Sequence, residues 1–280
     1  MRVDIFKDNL RYIDERNQQN IMYVLGLNEF SDLSHEEFKS MYVGRIKPGP
    51  KNTSLRYQHV GDDLPSSVDW RKEGVVTLVK RKGCGDCWAF NTIASVEGIN
   101  KIVTGELISL LEQQLDACVK GSNGCSGGGE RAGFEYIINN FGIASVADYP
   151  YTDGIGVCNE ALGKKSAVTI DGYENVPSRD EKSMKTAVAQ QPVSVDIEVS
   201  GRDWSAYKSG IFTGKCGTSV NHGMTIVGYG SEDVLDYWIV KFAWGREWGE
   251  EGYIRMCRNV EDPAGMCGIA LYPSYPRKDG

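Results

Sequence analysis

The sequence predicts an α+β protein in which a helical lobe packs against a strand-rich lobe, with a smaller helical module in front of both. Apolar residues recur every three or four positions at 87–103 and near 130–140, as in helices that face a core. Short apolar runs punctuated by glycine follow at 193–199, 224–229, 237–240 and 252–256, as in strands. None of the cysteines lies before Cys84, so the first part of the chain differs from the rest. A cleft between two such lobes is a common place for a functional site.

The N-terminal module contains three predicted elements. Residues 1–18 carry an apolar stripe between charged residues and predict a helix, and residues 23–30 alternate as in a short strand. Ser34 with Glu37 has the form of a capping box, which starts a second helix through Met41. Residues 45–63 are rich in proline, glycine and lysine, which predicts an exposed linker where proteases cut. We therefore expect a module with its linker at 1–63 and a larger domain at 64–280.

Composition limits the classes of function. The chain has 280 residues, enough to bury a sizeable core, and 41% hydrophobic with 25% charged residues is ordinary for a globular protein. The net charge of -7 and the lack of a basic run predict no nucleic-acid partner. No run of about 18 apolar residues occurs and the first residues are charged, so we expect neither a membrane span nor a signal peptide in it. We also expect a monomer without a cofactor.

The spacing and number of the cysteines bear on metal binding and on the cellular compartment of the protein. Two close spacings, Cys84 with Cys87 and Cys118 with Cys125, suggest zinc, but no second matching CxxC occurs and His222 is the only histidine after residue 59. We therefore expect no metal site. Several disulfides in an oxidising compartment fit better, and the glycosylation sequon at Asn52 agrees with passage through the secretory route. The spacing leaves the disulfide pairing open.

One cysteine stands at the start of a predicted helix. Cys87 follows a glycine-bracketed loop, and Asp86 is placed to cap the helix. Unpaired backbone N–H groups and the helix dipole lower the pKa of a thiol in the first turn, which favours the nucleophilic thiolate. The alternative is a cysteine held in a disulfide or packed in a core, which position alone favours.

Ordered motifs extend over nearly the whole length of the chain. In the first module, Arg2, Phe6, Asn9, Ile13 and Asn17 match most of an ERFNIN pattern, and Gly26, Asn28, Phe30 and Asp32 match a GxNxFxD pattern. Two more motifs lie at residues 64–71 and 84–90, and they are followed by Gly124-Cys125-Ser126-Gly127-Gly128, Gln191-Pro192-Val193-Ser194-Val195, Asn221-His222-Gly223, Trp244-Gly245 and Trp248-Gly249. In these motifs and in their order the chain resembles the papain family of cysteine proteases, of the plant type. Residues 64–71 resemble the family's mature N-terminus, and residues 84–90 resemble its CGSCWAF segment around the nucleophile.

This resemblance implies the precursor of a cysteine endopeptidase with a papain-like two-lobe fold. It implies a helical lobe, a β-barrel-like lobe and an active-site cleft between them, with Cys87 as nucleophile on one wall and His222 as general base on the other. Residues 1–63 would be an inhibitory prosegment that acts on its own chain. Peptides or proteins would be the substrates, and the vacuole, the lysosome or the extracellular space the location.

The site departs from the family pattern at Phe242, at Lys82 and at Asp86. Phe242 stands where the family has the asparagine that orients the histidine, and phenylalanine accepts no hydrogen bond from imidazole. We expect Phe242 to compensate in part by a cation–π contact with His222, and Trp244 to remain as an apolar lid. Lys82 is the best match to the glutamine that donates to the oxyanion, although a one-residue gap can shift that role to Arg81.

The donors and charges near the thiol change accordingly. The backbone N–H of Cys87 remains as an oxyanion donor. Asp86 replaces a small residue, and its charge opposes ionisation of the thiol. We therefore expect weakened activity. The alternative is a catalytically impaired protein of the same fold with a storage, defence or peptide-binding role.

The resemblance also assigns the remaining site residues. It implies the disulfides Cys84–Cys125, Cys118–Cys158 and Cys216–Cys267, which leaves Cys257 without a partner, and we favour a buried thiol there over a reactive one. Gly127 and Gly128 would align an extended substrate by backbone pairing. The main specificity pocket would be lined by Asp196, Val220 and Tyr272. Asp196 either favours a basic substrate side chain or is a solvated strand residue, and the sequence leaves both open.

Overall fold

The computed structural model describes residues 2–19, 21–48, 63–81, 83–148 and 156–280. Most of the predicted linker, the sequon at Asn52 and Lys82 lie outside these residues. The helices are α1 (Arg2–Asn17), α2 (His35–Tyr42), α3 (Cys87–Thr104), α4 (Glu112–Cys118), α5 (Glu130–Asn139), α6 (Glu160–Gly163), α7 (Glu181–Val188) and α8 (Arg202–Ala206). Single 3-10 turns lie at Gly124–Ser126 and Met266–Gly268. In the part of the chain so described, no helix is long and apolar enough to cross a membrane.

The strands form one mixed sheet. They are β1 (Tyr23–Leu25), β2 (Val68–Asp69), β3 (Gly172–Asn175), β4 (Val193–Ile197), β5 (Tyr207–Phe212), β6 (His222–Glu232), β7 (Leu235–Lys241), β8 (Tyr253–Cys257) and β9 (Ser274–Arg277). The order is β1-β5-β8-β7-β6-β4-β9-β3, with β2 paired to β6. Only the β5–β8 pair is parallel among these strands. The lobe expected to be barrel-like is thus a sheet that does not close between β1 and β3.

Two hydrophobic cores correspond to the two predicted lobes. The core of the helical lobe is built on α3, α4 and α5 and contains Trp88, Ile93 and Phe134. The core of the β lobe collects the inner face of the sheet together with Trp204, Trp244 and Trp248. Helix α3 contacts β4 and β6 as well as α4 and α5, so it joins the two lobes.

The N-terminal segment, residues 2–48, packs on the β lobe rather than standing apart. Strand β1 pairs with β5 and so supplies one edge of the sheet. Ile13, Leu25 and Phe38 of this segment belong to the β-lobe core. The segment therefore buries its own apolar face against the larger domain.

Local sequence signals predict the start of α2 but not the end of β1. Ser34 caps α2 as predicted, since its hydroxyl accepts from the Glu37 N–H and the Glu37 carboxylate accepts from the Ser34 N–H. The strand predicted at 23–30 ends early, at Leu25. After Leu25 the chain turns, because the Asn28 side chain accepts from the Phe30 N–H and the Ser31 hydroxyl accepts from the Asn28 N–H.

Candidate active site

Cys87 is the first residue of α3 and is fully buried. Asp86 takes the N-cap position, but its side chain makes no capping hydrogen bond, so the prediction of a side-chain cap is wrong. Its backbone angles of φ -91° and ψ 20° differ from the extended conformation from which a cap side chain folds back onto the first turn. The backbone carbonyl of Asp86 still accepts from the Ala89 N–H at 2.9 Å and starts the helix.

His222 comes from the opposite wall of the cleft. It is the first residue of β6, pairs with Ile197 of β4 and is fully buried. The backbone N–H of the next residue, Gly223, donates to the Cys87 sulfur at 3.4 Å. The fold therefore brings the start of α3 and the start of β6 together, although Cys87 and Gly223 are 136 residues apart.

An aromatic cluster surrounds His222 where a hydrogen-bonding amide was missing from the sequence. The Phe242 ring stacks on the imidazole with centroids 5.4 Å apart and an interplanar angle of 20°. The Trp244 ring lies 5.1 Å from the imidazole, and Trp248 packs behind Phe242 at 4.5 Å. Aromatic faces hold an imidazolium by cation–π attraction but accept no in-plane N–H bond. Aromatic packing therefore contributes to the orientation of the His222 ring.

Asn91 is a positioning residue that the sequence did not single out. It lies on α3 one turn after Cys87, and its amide donates to the Val195 carbonyl of β4 at 3.2 Å. Its side-chain oxygen accepts from the Thr225 hydroxyl of β6 at 3.1 Å. These bonds fix α3 against both strands and so set the register of the two walls. The sequence signal that could have identified Asn91 is a polar residue inside an apolar helical pattern.

A buried charge cluster lies behind the site. The Lys80 ammonium contacts Glu112 at 2.7 Å and Glu97 at 3.1 Å, and Lys241 donates to the Thr77 carbonyl at 2.9 Å. Burial raises the pKa of Glu112 to about 7 although Lys80 opposes the shift, and burial lowers the pKa of Lys241. For Lys80, burial lowers the pKa but the two carboxylates outweigh it. The cluster joins the loop before α3 to the strand that ends beside Phe242.

The residues expected to donate to the oxyanion are only partly described. Lys82 lies outside the described residues. The guanidinium of Arg81 is engaged by the N-terminal segment, since it forms an ion pair with Glu29. Its backbone bridges to Trp244, which holds the loop against the rim of the cleft.

The N-terminal segment runs through the cleft and touches the site. Gly44 is buried against Cys87, so close that a Cβ at this position would lie 2.7 Å from the sulfur. Two residues further, Ile46 forms a parallel bridge with Gly128, and the Lys47 N–H donates to the Gly128 carbonyl at 2.8 Å. A Cβ on Gly127, which has φ +116°, would lie 2.0 Å from the Arg45 carbonyl oxygen. The glycine edge thus pairs with the chain's own extended segment.

Comparison with known proteins decides the family. The description "Papain family cysteine protease" matches residues 64–277, and "Cathepsin propeptide inhibitor domain (I29)" matches residues 1–38. The chain belongs to the papain family of cysteine proteases. It is 53% identical over 284 residues to the cysteine proteinase RD21A of Arabidopsis thaliana and 52% identical over 289 residues to the cysteine proteinase COT44 of Brassica napus. These alignments cover 100% and 99% of this chain, with 62% of RD21A and 88% of COT44.

Solved structures of papain-family proforms have the same fold. The proform of the ragweed pollen allergen Amb a 11, a cysteine protease, matches with a TM-score of 0.93 and 39% identity, covering 100% of this chain and 89% of that one. The recombinant stem bromelain precursor matches with a TM-score of 0.92 and 43% identity, covering 100% and 91%. The chain spans about three fifths of the length of the two Arabidopsis relatives RD21A and RD21B.

The residues expected to line the papain-family specificity pocket differ in burial. Asp196 is completely buried, so its interpretation as a solvated strand residue is wrong. Val220 and Tyr272 are half-buried, and the Tyr272 carbonyl accepts from Arg131 at 3.3 Å. Asp196 lies on the face of β4 that also carries Ser194, whose hydroxyl donates to the Asn91 carbonyl of α3.

The structure contains the three disulfides that the family resemblance implied. They are Cys84–Cys125, Cys118–Cys158 and Cys216–Cys267. Cys87 and Cys257 are outside these bridges and are not joined to one another. Cys257 is half-buried rather than buried, which corrects the expectation. Burial, with Glu181 and Asp236 nearby, raises the pKa of its thiol, so it is a poor nucleophile at neutral pH.

Proposed function

We propose that the chain is the precursor of a cysteine endopeptidase in which Cys87 and His222 carry the reaction. The main support is the 3.4 Å contact between the Gly223 N–H and the Cys87 sulfur, which places the imidazole-bearing strand at the thiol. Family membership supports the same assignment. Residues 1–63 are proposed as the prosegment and residues 64–280 as the peptidase domain, and the secretory route with a vacuolar, lysosomal or extracellular location is proposed for both.

The chemistry follows from the two walls. The Cys87 thiolate attacks the substrate carbonyl, and N–H groups at the start of α3 stabilise the oxyanion. The C–N bond then breaks as the His222 imidazolium gives its proton to the leaving amine. Water hydrolyses the thioester with His222 as general base, which returns the thiolate. Gly127 and Gly128 are proposed to align the substrate backbone as they align residues 45–47 here.

The N-terminal segment is proposed to inhibit its own chain. Gly44 covers the Cys87 sulfur and residues 45–47 occupy the glycine edge, so no substrate reaches the thiol while the segment is seated. The test is to acidify the full chain and to follow three readouts: a new N-terminus near Leu64, cleavage of a fluorogenic peptide and labelling of Cys87 by iodoacetamide. A Cys87→Ser variant is the control. Processed protein that cleaves no peptide and resists labelling would contradict the proposal.

The second candidate, a catalytically impaired papain-family protein, has one observation in its favour. The Phe242 ring stacks on the His222 imidazole at the position where the family pattern has an asparagine. We expect Phe242→Asn to raise kcat by about tenfold or more, since a missing orienter in a related triad costs up to about 10⁴. An amide inserted among Phe242's aromatic neighbours also lowers stability, so kcat is measured well below the unfolding temperature. An unchanged kcat in a folded variant would argue that His222 needs no orienting amide.

A further inference from the structure

A completely buried acid lies at the cleft between the lobes. Asp196 projects from β4 on the same face as Ser194, towards α3, whereas Val195 and Ile197 project into the β-lobe core. Neither carboxyl oxygen of Asp196 has a hydrogen-bond partner among the described residues. An acid that is desolvated and unpaired is costly, so its presence points to a ligand that supplies the missing donors.

The neighbouring charges do not satisfy Asp196. Arg131 is the nearby cation, and it is already engaged by Glu130 at 2.9 Å, by the Asn175 side chain at 2.6 Å and by the Tyr272 carbonyl at 3.3 Å. Burial, reinforced by the charge of Glu130 and opposed by Arg131, holds the pKa of Asp196 well above its usual range. A cation brought into the space beside this carboxyl would pair with its ionised form.

The occupant of that space in the present structure is Ile46 of the N-terminal segment. Asp196 pairs across the sheet with Gly223, and a Cβ built on Gly223 would lie 3.4 Å from the Asp196 Oδ1 atom and 3.4 Å from the Ile46 Cδ1 atom. The missing side chain of Gly223 thus opens one space that the acid and the isoleucine share. Isoleucine fills it without donating a hydrogen bond.

We propose that Asp196 makes this space a specificity pocket for a basic substrate side chain, arginine or lysine, in the place that Ile46 now occupies. The proposal rests on the proposed peptidase function and names its substrate class. A substrate that pairs with Gly128 as Ile46 does presents one side chain to the same space. A long aliphatic stem suits the apolar wall, and its terminal N–H groups reach the two carboxyl oxygens. The N-terminal segment leaves the acid unpaired and so occupies the pocket without its best ligand.

The first test uses the full chain and needs no turnover. Ile46→Arg and the neutral Ile46→Gln are each made in two backgrounds, one with the native Asp196 and one with Asp196→Asn. The rate at which iodoacetamide labels Cys87 then reports how often the segment leaves the cleft. We expect Ile46→Arg to label about tenfold more slowly than Ile46→Gln when Asp196 is present, because the guanidinium pairs with the carboxylate. With Asp196→Asn the two should label at equal rates. Equal rates in the presence of Asp196, or an arginine advantage that survives Asp196→Asn, would overturn the proposal.

The second test covers the case in which an Ile46 variant does not fold. The full chain is folded and cut, and its kcat/KM is measured on peptides with arginine or leucine at each of the three positions before the scissile bond. We expect arginine to be favoured by about tenfold or more at one position, and Asp196→Asn to remove that preference while the exposed-turn control Asp233→Asn keeps it. A preference for leucine at all three positions would refute the pocket.

If the protein has no peptidase activity, the pocket is tested by peptide binding instead. If no peptide is cleaved, the same peptides carrying a fluorophore are titrated onto the cut protein, and their dissociation constants replace kcat/KM. Tighter binding of one arginine peptide that depends on Asp196 supports the pocket in a protein without turnover. Equal affinities, or no binding of either peptide, overturn it.

Discussion

The N-terminal segment meets the rest of the molecule in two places of opposite character. Near α1 it is anchored by charge: the Tyr12 hydroxyl donates to Asp203 at 2.6 Å, Arg16 pairs with Asp203 at 2.8 Å, and Tyr23 also donates to this carboxylate. In the cleft, Gly44 and Ile46 contact the site through backbone and an apolar side chain. The first region holds the segment on the molecule, and the second keeps a substrate away from Cys87.

The charged anchor near α1 should therefore determine how tightly the segment binds, and the cleft contact should determine whether Cys87 is accessible. A carboxylate with three donors depends strongly on each partner and on pH, because losing one partner leaves buried polar groups unpaired. A strip of backbone against glycine depends mainly on shape. Changes at Asp203 should therefore loosen the whole segment, whereas changes at Gly44 should expose the thiol while the segment stays docked.

Replacing Asp203 by alanine should have the largest effect. Arg16, Tyr12 and Tyr23 lose their shared acceptor, and removing one partner of such a buried pair costs about 3 kcal/mol. The α1 amides should exchange hydrogen about a hundredfold faster, as measured by mass spectrometry on the full chain. Asp14→Ala, an exposed change on the same helix, is the control. Equal exchange in the two variants would show that Asp203 is not the anchor.

A smaller effect is expected at Gly44. A Cβ there would lie 2.7 Å from the Cys87 sulfur and 2.9 Å from the Gly85 carbonyl oxygen, so Gly44→Ala should cost about 2 kcal/mol of local seating. Iodoacetamide should then label Cys87 in the full chain roughly tenfold or more faster, with α1 exchange unchanged. Gly83→Ala is a matched control, since a Cβ at Gly83 meets nothing within 4 Å. Faster exchange of α1 in Gly44→Ala would mean that the two regions are coupled.

Acid should weaken docking of the N-terminal segment by protonating Asp203. Burial works to raise the pKa of Asp203, but hydrogen bonds from Arg16, Tyr12 and Tyr23 outweigh it and hold the pKa below the ordinary 3.8. A carboxyl with a depressed pKa stabilises the docked state above that ordinary value, and this stabilisation is lost as pH falls through the lower, folded pKa. Protection of α1 should therefore be steady from pH 7 to about 5 and fall by several-fold below 3.8. The Asp203→Asn variant should lack this step, and an identical step in that variant would assign it to another acid.

The smallest effect is expected for an exposed contact of the segment. Arg2 pairs with Glu37 at 2.8 Å and donates to the Asp32 carbonyl at 2.9 Å, and both ionic side chains are solvent-exposed. Exposed ion pairs contribute little, so Arg2→Ala should change α1 exchange by less than about twofold. A change as large as that of Asp203→Ala would show that the charged anchor extends along the whole helix.

Much of the fold could be predicted from the sequence because its signals are local. The apolar period of α3, the capping box at Ser34 and the glycines between strands depend on neighbours within a few residues, and these elements were found within a few positions. The early end of β1 was missed, because the Asn28 and Ser31 side chains turn the chain in a way that alternation alone does not reveal. The missing side-chain cap at Asp86 depends likewise on backbone angles that composition does not set.

By itself, the sequence determined the helix that begins at Cys87, the motif carrying His222 and the aromatic residue at 242, because each is written in contiguous residues. Only the tertiary structure decided that Gly44 covers the thiol and that Asp203 gathers three donors from a segment 180 or more residues away. It also decided that Asp196 is buried with no hydrogen-bond partner among the described residues. Burial and pairing of a charge depend on which distant strands and helices surround it. That arrangement is a property of the packed lobes and not of any stretch of chain.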